Sequence, residues 1–324
     1  MSEPDTSRTS LISAHSLVAD LRAHRKAVYW LDFALSIGLF WALLVFAAFT
    51  PDWAWAALAV LPASFALYRA ALFSHEIGHF GGRSVPGFTV AWNLLCGVPI
   101  GLPSFMLKSH VDHHGVGSYG TVGDPEYLPF GAHPQLRRAF WLGSLLVPWV
   151  FALRALVLVP AAWVNGRARA WLRANMSYMT MNQAYRPSSS FQQLTRFDLA
   201  IEAATVVWTY GLLALLLTGW LPWRFALLLV VCMTAANMLN AWRTLRAHAY
   251  TSVGHATDAA GQLRDSATFL MPPLLGELLC PVGQRFHAAH HLFPYLPYHA
   301  LAEAHRRVLA SSWAGLDNYR QTMR

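Results

Sequence analysis

Four apolar runs, each long enough to cross a hydrocarbon layer, limit what this chain can fold into more than any other feature. They fall at about 28–49, 53–73, 199–220 and 223–242. Roughly 20 apolar residues in a helix span the ~30 Å interior of a bilayer. Only Thr50-Pro51-Asp52 separates the first pair, and Gly219-Trp220-Leu221-Pro222 the second. Such turns hold no domain, so each pair must cross and return at once as a hairpin. The composition agrees, with 55% hydrophobic and 12% charged residues, against roughly 25% charged in an average soluble domain.

Lys and Arg gather on the cytoplasmic side of short loops. Here Arg22, Arg25 and Lys26 precede the first run, while Arg83, Lys108, Arg137, Arg138, Arg167, Arg169, Arg173, Arg186 and Arg196 lie between the hairpins. Arg243, Arg246, Arg264, Arg285, Arg306 and Arg307 follow the last run, and only Arg224 sits near an outer turn. Both termini and the middle segment are therefore expected on the cytoplasmic side. The net charge of +8 reads as attraction to an anionic leaflet, since nothing resembles a nucleic-acid-reading module. The first run is too long for a signal-peptide core and reads as an uncleaved anchor. Cys96, Cys232 and Cys280 stand alone in apolar surroundings, which argues against a disulfide framework. The expected layout is a polar tail over 1–27, one membrane domain over 28–310 and a C-terminal tail over 311–324.

Two further apolar stretches fit this layout less simply. Residues 88–106 are broken by Gly97, Pro99, Gly101 and Pro103, which suits a re-entrant or interfacial segment. Residues 140–163 contain Pro148, Arg154 and Pro160. One extra crossing there would put the two halves of the chain on opposite faces of the membrane, and an unpaired arginine at mid-bilayer is costly. This stretch is expected to lie along the interface or to dip in and out.

Three histidine clusters carry the chemistry: His75-Glu-Ile-Gly-His79, His110-Val-Asp-His113-His114 and His287-Ala-Ala-His290-His291. Residues three and four apart share a helix face, so each cluster aims two or three imidazoles at one point. Eight histidines exceed the three or four protein ligands of a single centre, so two metals are implied. A ninth follows from the polar stripe Asn237, Asn240, Thr244 and His248, whose steps of three and four end at the cytoplasmic boundary. His255 is a rival to His248, and His133, His299 and His305 stand outside the clusters. Ligating histidines usually donate their other ring N–H to a carboxylate or carbonyl, for which Glu76, Asp112 and Asp124 are the nearest candidates, with Asn240 and Thr244 beside His248.

The first cluster also satisfies the HExxH pattern of zinc proteases, with Glu76 as base. That mechanism uses one ion and leaves two HxxHH clusters without a role. A bis-histidine haem would place lone histidines on facing helices, which the clustering opposes. A noncatalytic metal-binding membrane protein stays open on these grounds.

The motifs HEIGH, HVDHH and HAAHH, split by a membrane hairpin, resemble the three histidine boxes of the membrane fatty acid desaturase family over about residues 55–303. The stretch 92–103 is similar to sphingolipid desaturases, and His291-Leu-Phe-Pro-Tyr-Leu-Pro-Tyr-His299 to acyl-lipid desaturases. The resemblance implies an all-α membrane protein of four spans in two hairpins under a cytosolic helical cap. It implies two iron ions held by His75, His79, His110, His113, His114, His248, His287, His290 and His291, with O2 as co-substrate. Some relatives carry an asparagine one turn before the extra histidine that reaches iron through water; here that position is Thr244, which leaves Thr244 and Asn240 as rivals. The implied reaction inserts a double bond into an acyl-lipid, acyl-carrier or sphingolipid chain, and a lipid hydroxylase is the alternative of the same chemistry. The chain shows no cytochrome domain or iron–sulfur cysteine motif, so electrons are expected from a separate ferredoxin, or a cytochrome with its reductase. Trp92, Leu95, Phe105 and Trp242 are candidates to line an apolar substrate tunnel.

Overall fold

The computed structural model describes residues 13–79, 84–188 and 193–324; Arg83 and residues 1–12 of the polar tail lie outside the described residues. Among the described residues the chain is helical, with two isolated β-bridges and no strand. The longer helices are α1 (Lys26–Phe49), α2 (Trp53–His79), α5 (Pro134–Val164), α7 (Arg196–Leu217) and α8 (Trp223–Ala247). Between them lie α3 (Phe88–Gly97), α4 (His110–His113) and α6 (Gly166–Met176). After them come α9 (Ala259–Asp265), α10 (Pro273–Leu279), α11 (His287–Leu292), α12 (Leu301–Ala310) and α13 (Leu316–Arg320).

Ala56, Ala59, Ala63, Ala66 and Ala70 recur every three or four residues along α2 and are buried. They form one narrow face, and small side chains there let the neighbouring helices approach closely. Phe33, Ile37, Phe40 and Leu44 of α1 fill the same core. The opposite face of α1 carries Leu31, Leu35 and Leu39, each at least half exposed, an arrangement that suits a lipid surround. Each of the five long helices is long and apolar enough to cross a membrane.

The two hairpin turns meet at one end of the bundle. Arg224 donates to the Thr50 carbonyl at 2.6 Å and lies 3.9 Å over the Trp53 ring, while Trp53 and Trp223 pack at 6.1 Å. His79 and His248, at the other ends of α2 and α8, therefore share the opposite end. The start of α7 is there too, because Lys108 pairs with Asp198 at 2.5 Å.

The count of helices able to span is five rather than four, α5 being the addition. Cost was the reason to keep Arg154 out of an apolar layer, and its partners change that reason: the guanidinium is 1% exposed, pairs with Glu202, and donates to the Met176 carbonyl at 2.8 Å. Pro148 and Pro160 are tolerated because each opens a new helical stretch, after a 3₁₀ turn and a π turn respectively, where the missing N–H removes little. Arg137 reaches the Leu245 carbonyl and Phe151 packs on Phe105 and Met106, so much of α5 follows the histidine end of the bundle. Its last turns lie beside α7, where Tyr210 donates to the Leu156 carbonyl.

Helix α3 dips in beside α1 and the chain returns. Trp92 donates to the Ala70 carbonyl, and Trp41 donates to the Leu95 carbonyl at 2.9 Å; Trp41 lies 15 residues along α1, about 22 Å at 1.5 Å per residue. The return starts at Gly97, where a Cβ would stand 2.6 Å from the Trp92 ring and 2.7 Å from the Leu102 carbonyl. Neither chain end is loose where it is described. Residues 311–324, read from sequence as a tail, bury Trp313 and Tyr319 and pair backbone with Thr268 and Leu270. Ala14 and Val18 join Leu292, Phe293 and Val308 in the same core.

Candidate metal centre

His75 and His79 occupy the last turn of α2, one above the other. His110 and His113 lie on α4 with His114 at its C-cap, and His248 is the extended residue that ends α8. Helix α11 is two-faced: Ala288, Ala289 and Leu292 enter the core shared with the chain ends, and His287, His290 and His291 face the other way. That core fixes the rotation of the third cluster.

The nine histidines fall into two groups. His75, His79, His110, His114 and His290 form one, and His113, His248, His287 and His291 the other; within each, one ligand atom per residue lies within 4.8 Å of all the rest. His133, His255, His299 and His305 belong to neither. Each HxxHH cluster is divided between the groups, which only meeting helices could do.

The rings are arranged for cations. Nε2 of His248 stands 3.2 Å from Nε2 of His113 and 2.9 Å from that of His287, which is 3.1 Å from that of His291. Nε2 of His114 stands 3.1 Å from those of His110 and His290. Facing imidazole lone pairs repel unless a proton or a cation lies between them, and one proton satisfies one pair only. Both ring nitrogens of His75 are buried without a hydrogen-bond partner, as are Nε2 of His79 and Nδ1 of His114, His287 and His290. Burial and then the neighbouring imidazoles hold His114, His287 and His291 well below the usual histidine pKa, and the same burial holds His248 and His290 there. Neutral imidazole is the form that ligates metal. These residues fit two metal ions bound by nitrogen alone.

Outer nitrogens are held by side chains the sequence only partly disclosed. His113 Nδ1 donates to Asp124 at 2.9 and 3.1 Å; burial pulls the His113 pKa down, but Asp124 together with Glu126 and Asp265 more than offsets it and leaves the pKa raised. His248 Nδ1 donates to the Tyr119 hydroxyl at 2.7 Å, which in turn donates to Asp265 at 2.6 Å. His110 Nδ1 lies 2.6 Å from Glu126, and the Gln262 amide reaches His291 Nδ1 at 3.3 Å. Of the sequence candidates, Asp124 alone touches a histidine. Glu76 accepts from the Tyr29 hydroxyl and from Tyr298 N–H at 3.1 Å, tying α1 and α2 to the segment after α11. Asp112 accepts from Tyr185, and both Asn240 and Thr244 accept from Arg243. Glu126 carried a signal, two residues beyond Asp124 in the turn Gly123-Asp124-Pro125-Glu126; Tyr119, Gln262 and Asp265 carried none.

A family model described as fatty acid desaturase matches residues 51–322. The chain belongs to the fatty acid desaturase family. It is also 36% identical to a ceramide hydroxylase of Caulobacter vibrioides (strain NA1000 / CB15N), over 91% of this chain and 85% of the relative. In this family member Glu76, the base of the HExxH reading, is engaged by the Tyr29 hydroxyl and the Tyr298 N–H rather than by a histidine. Of the four tunnel candidates, three are absent from the wall of the cavity at the start of α7. Trp92 is bonded to α2 and Leu95 is 47% exposed, while Trp242 lies under Arg246 at 5.0 Å. Phe105 alone lines the 410 Å3 cavity at the start of α7.

Proposed function

We propose that this chain is an O2-dependent, membrane-bound hydroxylase of ceramide-type lipids, working at two irons held by the nine histidines. The likeness to a ceramide hydroxylase over nine-tenths of the chain carries the reading. The similarity of residues 92–103 to sphingolipid desaturases agrees with it. Iron, when bound, supplies the oxidative chemistry toward an unactivated C–H bond that no side chain can perform.

The residues of the chain do the rest. The imidazoles of His75, His79, His110, His114 and His290 would hold one ion, and those of His113, His248, His287 and His291 the other. Asp124, Glu126 and Tyr119 fix ring orientation, which sets which nitrogen stays free for metal. Burial of His113, His287 and His290 excludes bulk water from around the site. The positive residues near the histidine end favour a cytoplasmic site and an acidic electron donor, either a ferredoxin or a cytochrome with its reductase.

A second reading, desaturation of an acyl or sphingoid chain, is favoured by the family description. Mass spectrometry of lipids from cells with and without this chain separates the two. Hydroxylation adds one oxygen to a ceramide, and desaturation removes two hydrogens. Ceramides unchanged in both respects would overturn the ceramide assignment, and a single zinc per purified chain would overturn the iron pair.

A further inference from the structure

A cavity of about 410 Å3 opens on the flank of the bundle beside the metal centre. Its wall includes Gly78, between the ligands His75 and His79, and Lys108, two residues before His110. A Cβ added at Gly78 would stand only 3.8 Å from the His110 ring, so one residue of backbone separates cavity from ligand. Val90 and Phe197, 44% and 41% exposed, form its outer edge.

Among the described residues Lys108 and Asp198 are the only charged groups lining this cavity, and they pair at 2.5 Å. The Asp198 carboxylate is 4% exposed and also accepts from Thr195 N–H at 2.9 Å, which fixes it at the start of α7. The Lys108 side chain is 39% exposed. Ser104, also in the wall, accepts from Asn93 at 2.8 Å and keeps its own hydroxyl proton to donate.

We propose that this cavity receives the headgroup of the lipid substrate, and that the Lys108–Asp198 pair selects an uncharged, hydroxyl-bearing headgroup over a phosphorylated one. The proposal rests on the lipid-oxidising reading above and names the feature of the lipid that the site reads. A phosphate entering here would have to take Lys108 from Asp198 and then lie beside a buried carboxylate, a like-charge contact that disfavours the wrong ligand. A neutral headgroup meets the Ser104 hydroxyl and leaves the pair intact.

The test is equilibrium binding to full-length protein in nanodiscs, with fluorescent ceramide against its 1-phosphate, and diacylglycerol against phosphatidic acid as a second pair. Wild type is expected to favour the uncharged member of each pair. Asp198→Asn keeps an acceptor for Thr195 N–H and releases Lys108, and is expected to move the binding ratio about tenfold toward the phosphorylated member. Adding Lys108→Met to that variant is expected to return the ratio. Equal binding of both members by wild type overturns the proposal. So does an unchanged ratio in Asp198→Asn protein whose metal content and melting profile match wild type. If both pairs respond as expected but no ceramide is oxidised, headgroup selection stands and the ceramide assignment alone falls.

Discussion

In the four-histidine group, His113 and His248 each donate the outer N–H to a side chain that is not a histidine. In the five-histidine group only His110 does, through Glu126, while His75, His114 and His290 have buried outer nitrogens without partners. The same residue type, brought by the same three clusters, is thus held in two ways. One group is oriented by hydrogen bonds, with Asp124 and Asp265 placing negative charge behind it. The other has a carboxylate, Glu126, behind one ring only, and its remaining rings are held by the packing of α2, α4 and α11. Partners behind a ligating imidazole raise its basicity and fix its ring, so the two metals should differ in how firmly they are kept, the five-histidine one leaving first.

The largest effect should come from removing a ligand in either group. His113→Ala and His290→Ala are each expected to abolish turnover while the protein still inserts in membranes, and metal analysis should show about one ion lost per chain. Activity of either variant at the wild-type level would remove that residue from the centre. Next come the supports. Asp124→Asn and Glu126→Gln should each weaken the ion behind them by roughly 10- to 100-fold in chelator competition. In wild type the same titration should run in two phases, and a single phase would break the contrast between the groups.

Acid should act more weakly. Burial, with neighbouring imidazoles, depresses His114, His248, His287, His290 and His291. Below about pH 6.5 the unfolded chain takes up protons that these folded residues refuse, so stability falls with falling pH. His113 runs the other way: its raised pKa contributes stability below that pH, lost as pH rises through the folded value. Five against one gives a net loss on acidification, which melting of metal-free protein at about pH 5.5 and about pH 7.5 would read directly. The smallest effect is expected from Glu76→Gln. Its carboxylate serves Tyr29 and Tyr298 rather than a ligand, so turnover should stay within about threefold of wild type, with a melting shift on the scale of one lost hydrogen bond. Total loss of activity with intact folding would return Glu76 to the chemistry.

All nine members of the two groups were legible, because a metal site built on helices imposes steps of three and four that no other use of histidine requires so often. Legibility ended at the supports. Asp124 was visible by nearness, whereas Gln262 and Tyr119 meet their rings across 29 and 129 residues of chain and Asp265 stands behind His248 through Tyr119, and their types are common in any loop. Glu76 and Asp112 were near the ligands in sequence yet point elsewhere, since adjacent helix positions face different directions, and Asn240 and Thr244 lose their shared face with His248 because that residue is extended backbone beyond the end of α8. Arg154 taught the same lesson in the bundle: its cost was plain from sequence, its partner Glu202 was not.

The apolar runs and the spacing of the histidines by themselves determined a helical membrane protein with histidines gathered as metal ligands would be, because periodicity and hydrophobic length act locally along the chain. Only the tertiary structure decided which histidines stand together, which side chains stand behind them, and that α5 is a fifth helix able to span. Those depend on which faces meet when α2, α4, α8 and α11 converge, and a contact between elements distant in the chain leaves no period in either one.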